Sequence, residues 1–342
     1  MTVLNVAIIG SDELSREIAK HSDSRDVDTY VHKEAHEGGC RIISLIRPVK
    51  FPERLRPLLS ALNAARAGII EVKTVDSTIG EALIAFASAG IEEGIVVINP
   101  PSGEWVDEEQ IIMLLKQAGL NWKIIPPDGI ELRSELFSIM DKLKSSLAES
   151  EVSPLVVPID QNFNVKGIGL VAIGYVQSGR VAVHDEILIL PSGGGGIAKS
   201  LQVMDDDVEV ASAGDRVGIA LRNAKEELLS ASSIIVHPPV DEKNTSDGKN
   251  LAIIAHENTT FKLIKSPFQK RELSKGDVVH VAVDLQFIVG RVESVADDMI
   301  SVKWDSPLYI RSNSPPPALI CQLDFKPRIM GQAIDFTVNS DS

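Results

Sequence analysis

Near residue 150 the periodicity of the chain changes. Upstream, short apolar runs of strand length (3–9, 68–72, 94–98, 122–125) alternate with stretches of helical pattern (53–67, 79–89, 107–118, 129–147). Two further strands, 28–32 and 41–46, meet around Gly38-Gly39. Strands that alternate with helices at this spacing predict a mostly parallel sheet covered on both faces. The first strand ends in Gly10. Ser11, Asp12 and Glu13 then supply an N-cap and an acidic first turn for a helix with Leu14 and Ile18 on one face. Downstream of a linker-like stretch within 149–158, strand-like runs follow one another between turn residues: 167–176, 187–190, 217–221 and 233–236. Ser192 to Gly196 reads as a hairpin tip and not a phosphate loop, because no helical pattern follows it. A second linker is expected at 240–250, and six more strand-like runs fill 251–336. The expected fold class is therefore multidomain α/β plus all-β: a mostly parallel sheet with flanking helices, followed by two β-barrels. The expected domains are 1–150, 151–240 and 241–342.

Composition fits this picture. At 342 residues the chain holds two or three domains, and 44% hydrophobic with 24% charged residues excludes disordered, collagen-like and disulfide-scaffold classes. No apolar run reaches membrane-spanning length, and no secretory signal is read at the N-terminus, so the expected location is cytoplasmic with no membrane partner. Two distant cysteines, Cys40 and Cys321, suit a reducing compartment and are too few for a thiolate metal cage. The net charge of −14 argues against a broad nucleic-acid surface, and no DNA partner is expected. A local basic patch around Lys262, Lys265, Lys270, Arg271 and Lys275 is the least opposed.

The second segment carries the most specific residues. It opens with Pro158-Ile159-Asp160-Gln161-Asn162-Phe163-Asn164-Val165-Lys166-Gly167-Ile168-Gly169. It continues through Ile173-Gly174-Tyr175-Val176, Ser178-Gly179-Arg180-Val181, His184-Asp185-Glu186, Leu190-Pro191-Ser192 and Ala213-Gly214-Asp215-Arg216-Val217-Gly218. In this order these pieces resemble domain 2 of the translational GTPases, elongation factor Tu among them, and most closely the selenocysteine-specific elongation factor. The last segment resembles that factor's third barrel through Pro267-Phe268, Lys275-Gly276-Asp277, residues 290–295 and Lys326-Pro327.

The resemblance implies a GTPase domain at 1–150, whose working parts are degenerate. A phosphate loop needs GxxxxGK(S/T) between the first strand and helix. Here the stretch reads Gly10-Ser11-Asp12-Glu13-Leu14-Ser15-Arg16-Glu17. Ser15 stands for the second glycine, Arg16 for lysine and Glu17 for the magnesium-binding hydroxyl residue. Arg47-Pro48-Val49-Lys50-Phe51 falls at the DxxG magnesium motif. Asn99-Pro100-Pro101-Ser102 falls at the guanine-reading NKxD, with only Asn99 matching. The first switch region is shortened to little more than residues 23–39. No catalytic residue and no cofactor are predicted; GTP and magnesium enter only under the alternative of an atypical nucleotide site.

Other constellations read blandly. His32 and His36 share helical spacing but precede a turn, and Asp205-Asp206-Asp207-Val208-Glu209 lacks the glycine and distal glutamate of a calcium loop, so no metal site is predicted. In the selenocysteine-specific factor the pocket for the charged selenol resembles Asp-His near the barrel's opening and Arg in the Gly-Asp-Arg turn. Here those positions are Asp160, Gln161 and Arg216, the ligand-binding candidates, set against the reading that Asp160 and Arg216 are only an ion pair joining strands. The expectation is an elongation-factor-like protein lacking GTPase motifs that binds tRNA or another translation component without nucleotide. The competing expectations are a GTP-binding factor with an atypical site and a protein-interaction scaffold with a protein partner.

Overall fold

The computed structural model describes residues 1–37, 39–239 and 252–338. Gly38, the linker expected at 240–250 and the boundary expected between 240 and 241 lie outside the described residues. The first region runs β1 (Thr2–Ile9), α1 (Asp12–Ile18), β2 (Lys20–Ser24), β3 (Val27–His36), β4 (Gly39–Pro48), α2 (Arg56–Ala64), β5 (Ala67–Val72), α3 (Ser77–Ser88), β6 (Gly94–Ile98), α4 (Glu108–Ala118), β7 (Lys123–Ile124) and α5 (Gly129–Glu151). They form one sheet in the order β2-β3-β4-β1-β5-β6-β7. Strands β4, β1, β5, β6 and β7 are parallel, and β2 and β3 add an antiparallel edge.

Alternating side chains of the central strands divide the core. Leu4, Val6, Ile8, Ile69 and Ile95 pack with Leu14 and Ile18 of α1 and Leu132, Leu136 and Met140 of α5. Ala7, Ile70 and Val96 face Leu58 and Leu62 of α2 and Leu83 and Phe86 of α3. The helices begin on side-chain caps: Ser11 for α1, Asp76 for α3, Asp107 for α4 and Asp128 for α5. Several boundaries differ from the sequence reading: β3 and β4, expected at 28–32 and 41–46, run longer as Val27–His36 and Gly39–Pro48. Helix α2 starts only at Arg56, with a proline in its first turn. The polar strand β2 has no apolar alternation, so nothing announced it; as an edge strand it alternates exposed and half-buried positions. Helix α5 runs past residue 147 to Glu151, and the Ser150 carbonyl accepts from the Gly179 amide of the next region at 2.9 Å. Part of the expected linker is thus helix seated on a barrel.

The second region holds β8 (Val157–Val165), β9 (Gly169–Tyr175), β10 (Arg180–Ala182), β11 (Glu186–Leu190), β12 (Gly194–Val203), β13 (Asp206–Val208), β14 (Val210–Ser212), β15 (Arg216–Arg222) and β16 (Ile234–Val236). Strands β11-β16-β8-β9-β15-β12 close on themselves through β11–β12 pairing, and the glycine-rich stretch forms that hairpin's tip. The third region, β17 (Ile253–Lys265), β18 (Val278–Val283), β19 (Gln286–Ala296), β20 (Met299–Arg311), β21 (Ala318–Cys321) and β22 (Ile329–Val338), closes in the order β17-β20-β19-β18-β21-β22.

The three regions share cores. Val3 and Ile42 of the sheet pack into the first barrel's apolar cluster. Leu319, Cys321 and Ile329 of the second barrel join the cluster of α2 and α3. Polar contacts fix the registry: Asn5 Nδ2 donates to the Gly214 carbonyl at 2.8 Å, and Lys33 reaches Asp206 at 2.9 Å. Asp206 is therefore committed to an ion pair between regions.

Candidate functional site

In a parallel sheet of this type ligands bind beyond the carboxyl ends of the strands, where the strand order reverses. That point lies at the end of β1, which has β4 on one side and β5 on the other. The connection from β1 to α1 is only Gly10 and Ser11. Capping by the Ser11 hydroxyl, which accepts from the Leu14 amide at 3.3 Å, starts the helix at Asp12. Ser15, Arg16 and Glu17, read from the sequence as substitutes within a phosphate loop, therefore lie inside α1. Ser15 is buried and donates to the Ser11 carbonyl at 2.9 Å, Arg16 pairs with Asp12 at 2.6 Å on the exposed face, and the Glu17 carbonyl accepts from Arg133 at 2.7 Å.

The centre of the cleft is occupied by a residue the sequence reading passed over. Glu71, next to last in β5, is 5% exposed. Its Oε2 accepts from the Ser11 amide at 2.6 Å, and its Oε1 from Asn99 Nδ2 at 2.7 Å. Lys73 Nζ stands 3.9 Å from Oε1. Gly10 leaves room for this side chain, since a Cβ there would meet Glu71 Cβ at 3.1 Å. The structure thus brings Gly10 and Asn99 together around one carboxylate, whereas Ser102 is exposed in the loop after β6. The signal was present: an acid within the apolar run Ala67–Val72 must find donors when buried.

A second network closes the flank of the cleft. Tyr30 donates to Asp12 Oδ1 at 2.6 Å, and Arg47 Nε donates to the Tyr30 hydroxyl at 3.2 Å. Arg47 also binds Asp28 Oδ2 at 2.6 Å, and Ser24 donates to Asp28 Oδ1 at 2.5 Å. Burial, helped by the bond to Asp12, pushes the Tyr30 hydroxyl up to about 12. Hydrogen bonds from Arg16 and Tyr30 hold the Asp12 carboxyl below its ordinary value. Each carboxylate of this flank has a donor in the chain itself.

The residues predicted on the first barrel do meet. A register shift in β8 between Ile159 and Gln161 sets Asp160 and Gln161 beside Arg216 at the start of β15. Arg216 Nη2 lies 4.0 Å from Asp160 Oδ2, at the limit of an ion pair, and Gln161 donates to the same oxygen at 3.0 Å. Arg216 Nε and Gln161 Oε1 are buried without a hydrogen-bond partner. Burial raises the Asp160 carboxyl above its ordinary value despite the attraction of Arg216. The charges of Asp23 and Arg25, at the β2–β3 turn, bear on the same group. The arrangement is a loosely paired cation with unused hydrogen-bonding capacity, set where the first region faces the barrel.

Comparison with known proteins follows the same lines. Residues 169–236 match the family model of elongation factor Tu domain 2. An uncharacterized protein of Methanocaldococcus jannaschii is 26% identical over 305 residues, covering 88% of this chain and 90% of that one. The selenocysteine-specific elongation factor of the same organism is 32% identical over 209 residues, 56% of this chain and 44% of the factor. The chain thus spans less than half of that factor's length in the match. Among solved structures, translation elongation factor SelB from Methanococcus maripaludis, in complex with the GTP analogue GPPNHP, superposes with a TM-score of 0.74 at 19% identity, covering 99% of this chain and 80% of that one. The chain is elongation-factor-like: it has the translational-GTPase-like fold of a helix-flanked sheet and two barrels.

Proposed function

We propose that this elongation-factor-like chain is a nucleotide-independent binding protein. Its ligand is the acceptor end of a tRNA, or a chemically similar component of the translation apparatus, held at Asp160, Gln161 and Arg216. The observation that carries the reading is the Glu71 carboxylate on the Ser11 amide. In a working phosphate loop such amides receive phosphate oxygens. A buried carboxylate has the same charge and competes for the same donor.

The neighbouring residues do not fit GTP with magnesium. The two-residue turn has no loop to wrap a phosphate, and Asp12 adds negative charge at its mouth. Arg47, at the position aligned with the metal-binding motif, carries the wrong charge for a cation and is bound to Asp28. Each charged phosphate contact is worth about 1.5–3 kcal/mol, so three missing contacts weaken binding by roughly three orders of magnitude or more. Lys73 beside Glu71 does not replace them, because it shares the carboxylate already there.

The ligand class rests on the resemblance to elongation factors and on the unused donor of Arg216 and acceptor of Gln161. The test is calorimetric titration of nucleotide-stripped protein with GTP, GDP and ATP, with and without magnesium, beside filter binding of aminoacylated and free tRNA. No heat is expected up to about millimolar nucleotide. tRNA binding is expected to ignore nucleotide and to weaken about tenfold in Arg216→Ala. Micromolar, magnesium-dependent GTP binding would sink nucleotide independence. A stable protein partner with no RNA retained would replace the ligand class with the scaffold alternative.

A further inference from the structure

Arg66 follows α2 and precedes β5, at the end of the sheet opposite the Glu71 cleft. Its amide donates to the Asn5 carbonyl at 2.8 Å, which fixes its backbone. Its guanidinium reaches across to the first barrel, where Nη2 donates to the Gln177 carbonyl at 3.1 Å and to Gln177 Oε1 at 3.0 Å. Both acceptors are neutral. No carboxylate stands within 4.0 Å of Arg66 among the described residues. The charge that bears on it most is a like charge, Arg311 of the second barrel, which already holds Asp284 in a two-point pair at 2.9 and 3.2 Å. Withdrawal from water and the nearby Arg311 lower the Arg66 guanidinium to about 10, so it still carries its charge at neutral pH.

These groups line a cavity of about 410 Å³ built by all three regions. That volume is within the range of small-molecule sites. Asn63 lines it too. Its Oδ1 accepts from the Leu285 amide at 3.0 Å, and Nδ2 is the atom left to donate. The acids at the rim are engaged or outward: Glu93 pairs with Lys142 at 3.0 Å, and Glu92 is exposed. Two guanidiniums and one carboxylate therefore face a common space. Arg66 is half-buried, and the one opposite charge that bears on it, Asp284, is already held at two points by Arg311, so an entering anion supplies the charge-assisted partner that Gln177 does not.

We infer that the junction of the three regions is an anion site, at which the phosphate or carboxylate head of a small molecule binds Arg66, with Arg311 and Asn63 as the neighbouring donors. Because Arg66 and Asn63 belong to the first region and Arg311 to the third, the bound anion bridges those two, and the Arg66 bonds to Gln177 tie in the first barrel. The inference is independent of what the barrel pocket binds and of the Glu71 cleft.

The test is titration of the full chain with inorganic phosphate at constant ionic strength, followed by phosphorus NMR line broadening. Saturable broadening is expected, with the affinity falling about tenfold or more in Arg66→Gln and unchanged in Lys116→Gln, at an exposed position of α4. Competition by glycerol phosphate or by acetate then identifies the head group. Broadening that is absent, or equal in Arg66→Gln, would overturn the site. Should Arg66→Gln not fold, wild-type crystals soaked in tungstate decide. An anomalous peak beside the Arg66 guanidinium supports the site, and peaks only at surface cations reject it.

Discussion

Arg328 of the second barrel and Glu81 of α3 form a buried two-point ion pair, with Nη2–Oε2 at 2.6 Å and Nε–Oε1 at 3.0 Å. The Arg328 amide adds a third bond to Oε1 at 2.9 Å, and the same guanidinium donates to the Pro52 carbonyl at 2.8 Å. The pair joins two regions that also meet through apolar contact and through the Leu285 amide on Asn63 Oδ1. Removing one partner leaves the other charge buried and unpaired. Arg328→Met is therefore expected to cost about 3–5 kcal/mol, and the Arg328→Met/Glu81→Met double variant less than the two single changes together. Burial alone would raise the Glu81 carboxyl, but the Arg328 bonds outweigh it and hold the group below its ordinary value. A depressed carboxyl stabilises the fold above the ordinary value of 4.5 and loses that contribution as pH falls through the folded value. Denaturant midpoints below about pH 4.5 should drop more steeply in the wild type than in the double variant.

Glu71 is expected to be a stability residue of the cleft. Glu71→Ala strands the Ser11 amide and the Asn99 side chain, at a cost of about 1–3 kcal/mol. Glu71→Gln keeps the shape and one acceptor and should cost less. Chemical denaturation of both variants checks this order; equal midpoints for wild type and Glu71→Ala would remove the carboxylate from any central role.

Asp215, in the turn before β15, behaves in the opposite sense to Glu81. Burial pushes its carboxyl up to about 6, against the bond from the Ser212 amide. A raised carboxyl means the folded chain binds a proton that the unfolded chain does not. Stability is then gained as pH falls from about 6 towards the ordinary value of 3.8 and lost as pH rises again. Asp215→Asn keeps an acceptor for Ser212. Its melting temperature should exceed that of the wild type near pH 7.5, and the difference should close near pH 4. A pH-independent difference would show that the substitution acts through packing.

Gly68 and Gly94, paired across β5 and β6, lie under the Trp122 ring. A Cβ at Gly68 would stand 2.3 Å from Trp122, and one at Gly94 2.4 Å. The indole Nε1 is itself fixed to the Glu92 carbonyl at 3.0 Å, so the ring has little freedom to retreat. Gly94→Ala should destabilise by about 1–3 kcal/mol through overpacking, and Gly94→Ala/Trp122→Phe should recover part of the loss. Thermal melts of the two variants test this.

Much of the architecture was legible because periodicity reports burial directly. The strand at 94–98, the helix at 107–118 and the hairpin tip after Leu190 are where the pattern put them. Strand β2 was not legible, because a polar edge strand takes its structure from pairing with β3 and has no apolar face to announce it. The candidate site divides in the same way. Asp160, Gln161 and Arg216 were readable as a set from their resemblance to a barrel motif, and they meet in space.

The order of layers, a helix-flanked sheet and then strands, follows from local pattern, since alternating apolar residues specify which face each element must bury. The end of the first strand at Gly10 and the helix cap at Ser11 follow in the same way, because both are local choices. Tertiary structure alone decided what fills the cleft and what joins the regions. Glu71 lies 60 residues from Ser11, Glu81 lies 247 from Arg328, and Arg66 lies 111 from Gln177. No local pattern encodes such partners. Each is chosen when packing brings a buried charge or donor within hydrogen-bonding distance of the one group that satisfies it.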